Sequence, residues 1–232
     1  MSFTSFFVSL DFFQIATILG AIGLPFFYWI ESIAWILKSL SPAHSIAIGV
    51  AKSNVLIYVG RFFYFCSYIS IAYLIDHGVS TDRLQLIFLL TMVIGAGMQS
   101  LLLNRYLLNR KIFYFSRWFR FQYRPLYLED IKVTFDKKVF MYSCLVSIAL
   151  VIALFLPFLL ANEFLNYRLT MNSFGQILNI IGTILLLLML DPILYRKMDQ
   201  GNLTDVLKPY ILGRLIAFLI AVIYLTFEIY FF

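Results

Sequence analysis

Six stretches of about twenty apolar residues run through this chain, the length a helix needs to cross a hydrocarbon core ~30 Å thick. They fall at 13–36, 53–75, 84–103, 139–160, 174–193 and 209–230, with one longer polar connection at 104–138. Composition agrees. Of 232 residues, 62% are hydrophobic and only 13% charged, whereas soluble chains carry about 25% charged residues. Mean hydropathy is +0.89. The expected fold class is all-α: a polytopic membrane protein, a bundle of about six transmembrane helices forming a single domain over 1–232. Pro25 marks a kink in the first span.

Loop charge sets the expected orientation. Basic residues gather in the connections after spans one, three and five: Lys38; then Arg105, Arg110, Lys111, Arg117, Arg120, Arg124, Lys132, Lys137 and Lys138; then Arg196, Lys197 and Lys208. The other connections carry only Arg83 and Arg168. Positive charge stays on the cytoplasmic side, so both termini are expected outside. The net charge of +6 then reflects topology and contact with anionic lipid. Met1–Leu10 lacks the basic region of a signal peptide and leads straight into the first span. Cys66 and Cys144 lie in apolar runs, so no disulfide framework is expected. His44 and His77 flank different spans, which argues against a histidine metal site.

Within the 104–138 connection, Arg117, Arg120 and Arg124 recur at helical spacing beside Tyr114, Trp118 and Phe121. An interfacial amphipathic helix on anionic lipid accounts for this pattern. Basic-plus-aromatic patterns also suit RNA, but beside a membrane span the lipid surface is preferred and no nucleic-acid partner is expected. Ala16, Gly20, Gly95 and Gly97 allow close helix contact.

The polar residues inside the spans carry the functional argument, because intramembrane charges are costly and are paired or functional. At 1.5 Å per residue, Glu31 lies ~8 Å from the inner end of span one, Arg61 ~12 Å into span two, and Arg214 ~8 Å into span six. Gln99 and Asp191 lie near the inner ends of spans three and five. Bland readings exist for several. Lys38 and Lys52 read as snorkelling interface anchors, Asp191-Pro192 as a helix exit, and Glu31–Arg61 as a structural pair. The functional reading is a cavity open to the cytoplasmic leaflet in which Arg61, Arg214, Lys38 and Lys52 outweigh Glu31 and Asp191. Such a cavity suits an anion, and arginine's planar fork suits phosphate. Spans one and two also echo spans five and six: Val59-Gly60-Arg61-Phe62 resembles Leu212-Gly213-Arg214-Leu215, with Phe65 and Phe218 four residues after each arginine. Transporters often place a substrate site between such repeats.

At these residues the chain resembles the Amj family, the alternate lipid II flippases of bacteria. The likeness lies in Ile30-Glu31-Ser32-Ile33-Ala34-Trp35, Ile46-Ala47, Ser53-Asn54 and Gly60-Arg61. It returns at Gly182-Thr183-Ile184-Leu185-Leu186, Asp191-Pro192, Asp199, Gly201 and Leu212-Gly213-Arg214-Leu215. The chain departs from the family pattern at Gly60, Tyr64 and Ser41-Pro42-Ala43-His44. The resemblance implies a flippase that carries undecaprenyl-pyrophosphate-linked peptidoglycan precursor from the inner to the outer leaflet of the bacterial cytoplasmic membrane. The expected substrate-binding set is Glu31, Arg61, Asp191, Arg214, Lys38, Lys52 and Asn54. No catalytic residue, metal or cofactor is expected, and the partners are the polyprenyl pyrophosphate and anionic lipids; a homo-oligomer is compatible. No P-loop occurs, so ATP is not the direct driver. Two alternatives stay open: a membrane enzyme acting on a lipid phosphate, and a structural subunit of a membrane complex.

Overall fold

The structure, a computed structural model, describes residues 11–41, 46–104 and 135–231. Among these the chain is all-helical. The elements are α1 (Phe12–Ser39), α2 (Ile46–Asp76), α3 (Thr81–Leu103), α4 (Lys137–Glu163), α5 (Arg168–Leu185), a π-helical turn (Leu186–Leu190), α6 (Asp191–Asp199) and α7 (Leu203–Phe231). Six helical stretches are long and apolar enough to cross a membrane, the fifth running unbroken from α5 through the π turn into α6. The protein is therefore a multi-pass membrane protein. The expected amphipathic helix around Arg117, Arg120 and Arg124 lies outside the described residues.

The helices run past the expected ends, and local chemistry sets where they stop. Asp11 caps α1: its carboxylate accepts from the Phe12 N–H at 2.7 Å, while Gln14 Oε1 accepts from the Asp11 N–H, a capping box. The turns after α2 and α6 use one device. Gly78 and Gly201 have φ of 72° and 71°, which glycine adopts without penalty. The next N–H in each, of Val79 and Asn202, bonds back to Leu74 O and Lys197 O, closing a Schellman turn.

Close approach between helices follows from small residues, as membrane packing requires. The Ser67 hydroxyl donates to Gly20 O at 2.7 Å, fastening α2 to α1. A Cβ at Gly95 would overlap the Phe218 ring, so α3 accepts α7 through a glycine slot. Gly97, by contrast, faces open space and plays no part in packing. The Ser143 hydroxyl donates to Tyr210 O at 2.7 Å where α4 meets α7. α7 thus lies between α3 and α4, whereas α2 packs chiefly on α1 and α5 chiefly on α4. One apolar cluster, with Leu24, Tyr28, Phe88, Phe155 and Phe218, fills one half of the bundle. A second, with Ile33, Trp35, Leu56, Leu190 and Tyr210, fills the other.

Candidate functional site

Between the two apolar clusters sits a buried polar network centred on Arg214. Its guanidinium Nη2 lies 2.8 Å from Glu31 Oε2, with side-chain exposures of 1% and 9%. Nη1 donates to Tyr28 O and to Ser32 Oγ, both at 3.2 Å. Ser32 in turn donates to Gln99 Oε1 at 3.1 Å. The aromatic rings of Tyr28 and Tyr210 flank the guanidinium at 5.1 and 4.4 Å. α1 and α7 therefore meet through one arginine and α3 joins them through Ser32, while the ring faces replace part of the guanidinium's hydration.

A lysine lies one to two turns further along α1. Lys38 is buried, its ammonium 3.9 Å above the Trp35 ring and 3.4 Å from the Tyr195 hydroxyl. Asp191, half-buried where the π turn gives way to α6, is within electrostatic reach of Glu31, Lys38 and Arg214. The π turn has a visible cause. Pro192 has no N–H, and its ring would clash with the carbonyl four residues back, so the preceding turn widens. Beyond the turn, Tyr195 packs against Trp35 and Lys38 of α1.

The expected set is therefore partly assembled and partly not. Glu31, Arg214, Lys38 and Asp191 converge. Arg61 does not: it is exposed on α2 with its guanidinium 5.4 Å from the Tyr58 ring, so the expected Glu31–Arg61 pair is replaced by Glu31–Arg214. The reason is rotation about the helix. Gly60 faces α1, where a Cβ would meet Ile30 at 3.3 Å, and the next residue is turned about 100° away from that contact. Lys52 and Asn54 lie half-buried on α2 and are not among the groups that hold Arg214. Two further expectations are corrected. Lys38 is not a snorkelling anchor, because Trp35 and Tyr195 cover it. Asp191-Pro192 is not a helix exit, because the chain stays helical to Asp199.

Charge is consequently closer to balance than the sequence suggests. With Arg61 turned out, the cations Arg214 and Lys38 stand beside the carboxylates Glu31 and Asp191. Several buried polar atoms around the pair have no hydrogen-bond partner among the described residues, including Arg214 Nε, Gln99 Nε2 and the hydroxyls of Tyr28 and Tyr210. Buried polar groups are normally satisfied, so this site holds unused hydrogen-bonding capacity. The tyrosines escaped the sequence reading, although a signal existed: Tyr210 precedes Arg214 by four and Trp35 precedes Lys38 by three, the spacings at which helical side chains meet.

Comparison of the chain with family models, with curated proteins and with solved structures gives no match.

Proposed function

We propose that this protein is a transporter that moves a lipid-linked anion across the bacterial cytoplasmic membrane, and specifically a flippase for the undecaprenyl-pyrophosphate-linked peptidoglycan precursor. The observation that carries the reading is the intramembrane Arg214, its Nε donor unspent among the described residues, held by a carboxylate that an incoming pyrophosphate can displace. Arginine's planar fork matches phosphate oxygens. The resemblance of Ile30–Trp35 and Leu212–Leu215 to the Amj family supports the same substrate.

In this mechanism Glu31 holds Arg214 while the site is empty of substrate. The pyrophosphate enters from the leaflet on the side of Lys38, which the distribution of basic residues assigns to the cytoplasm. It then takes over Arg214 and Lys38, freeing Glu31. Loss of the Glu31–Arg214 contact loosens α1 from α7 and lets the two halves of the bundle shift, exposing the headgroup outward. A potential negative inside favours outward movement of negative charge by ~2.3 kcal/mol per charge per 100 mV. The lipid leaves chemically unchanged, so the reading is a transporter and not an enzyme.

Growth of a bacterium stripped of its other lipid II flippases is the direct test. Expression of this chain should restore growth, and Arg214→Gln should abolish it while Arg61→Gln does not. Failure of the unaltered, membrane-inserted chain to rescue sinks the proposal. The near-complete burial of Arg214 favours a second reading, in which the pair is a helix lock. A folded Glu31→Leu/Arg214→Leu variant that still supports growth would establish the lock and remove the substrate role.

A further inference from the structure

At the end of the bundle that carries Lys38, a separate polar cavity of about 410 Å³ opens between the start of α4 and the outer face of α6. Its walls divide by chemistry. Pro192 and Ile193 form an apolar side, and Lys138, Arg196, Lys197 and Gln200 a polar one, with Asp136 as its acidic member. α6 therefore has two working faces. Asp191, Leu194 and Tyr195 turn towards the bundle, while residues 192, 193, 196 and 197 line the cavity.

The single carboxylate is already committed. Asp136 caps α4, its Oδ1 accepting from the N–H groups of Lys138 and Val139 at 3.1 and 3.2 Å. Its Oδ2 lies 3.7 Å from the Lys197 ammonium. That leaves Arg196 and Lys138, both exposed, with no acidic partner among the described residues. Two cations without an acidic partner among the described residues, an apolar wall beside them and a position at the end of the spans are what a phosphate headgroup at a membrane surface requires. A soluble phosphate would meet the same cations but would leave the apolar wall unused.

We propose that this cavity binds a phosphate-bearing anion, with Arg196 and Lys138 gripping the phosphate oxygens from α6 and α4 and Pro192 and Ile193 contacting the apolar part of an attached lipid. This site stands apart from the Arg214 network and does not rest on the transport reading. The test reads binding and not translocation, so a failed growth rescue leaves it untouched.

The full chain is placed in nanodiscs of equal phosphatidylglycerol and phosphatidylcholine, and the lipids it retains on release are weighed by native mass spectrometry. In parallel, inorganic pyrophosphate is titrated calorimetrically into the chain in zwitterionic detergent. Preferential retention of phosphatidylglycerol identifies a lipid headgroup as the source, and pyrophosphate binding without lipid preference identifies a soluble phosphate. In either case Arg196→Gln/Lys138→Gln should weaken the binding about tenfold or more, as expected for losing charge-assisted hydrogen bonds. Gln200→Glu, which sets a carboxylate beside Arg196 at an exposed position, should weaken it as well. Equal retention of the two lipids together with no pyrophosphate binding overturns the proposal. So does binding that is unchanged in both the double variant and Gln200→Glu.

Discussion

Arg61 and Arg214 each follow a glycine that seats its helix on a neighbour, yet one guanidinium is exposed and the other is the most deeply held charge in the bundle. Gly60 sits against Ile30 and Phe27 of α1, and Gly213 against Phe140 O and Ser143 of α4. The two phenylalanines four residues on diverge likewise: Phe65 is exposed and Phe218 fully buried. The local pattern is the same, and what differs is how many helices surround it. α2 is covered mainly on the side that faces α1, so a residue turned away from that contact points out. α7 is covered by α4 on one side and by α3 and α1 on others, so the same turn of the helix drives Arg214 into Glu31, Ser32 and the tyrosines. An internal echo in sequence thus became a division between a helix that merely lines the bundle and one that joins it.

Removing the buried guanidinium should disturb the bundle most. Arg214→Ala leaves Glu31 buried and unpaired, which costs about 3–5 kcal/mol. Thermal unfolding in detergent, followed by fluorescence-detected size exclusion, should show a large fall in stability, partly recovered when Glu31→Ala is added. A non-additive recovery is the signature of direct coupling; strictly additive losses would mean that the pair does not act as one unit. Next comes Gly213→Ala. The new Cβ would lie 2.6 Å from a backbone carbonyl and 2.8 Å from Ser143 Cβ, neither of which can swing away, so a loss of ~1–3 kcal/mol follows from overpacking. Gly60→Ala should be milder, below ~1 kcal/mol, because its Cβ meets only side-chain atoms, Ile30 at 3.3 Å and Phe27 at 3.4 Å. Equal melting losses for the two alanine variants would contradict the difference drawn between α2 and α7. Smallest of all is Arg61→Leu, expected to change stability in detergent by no more than ~0.5 kcal/mol, as for other exposed sites. A melting shift as large as that of Arg214→Ala would show that Arg61 has a structural partner after all.

Much of this arrangement is legible in the residues alone. Hydropathy gives the six spans, since backbone in lipid must satisfy itself within a helix. Cost in lipid singles out Glu31 and Arg214, which pair, and Asp191, which lies within electrostatic reach of both. The partner of Glu31 is not legible. Depth along the membrane allows Arg61 and Arg214 equally, and only the angle about each helix axis, fixed by which neighbours it touches, separates them. Lys38 misleads for a related reason: a lysine near a helix end snorkels by default, and the two rings that cover it come from Trp35 on its own helix and Tyr195 on another. The π turn is half visible, because Pro192 announces a disturbance but not whether the helix will stop or swell.

The residues alone give six stretches apolar and long enough to span a membrane, and mark which side chains are too polar to face lipid alone. These follow from period, length and transfer energy, all local quantities. Which charges pair depends instead on how the helices pack. A helix carries its side chains around a full circle, and nothing in one segment says which part of that circle its neighbours will cover. Packing placed α7 among α1, α3 and α4 and left α2 at the edge, and so assigned opposite environments to two arginines in the same local motif.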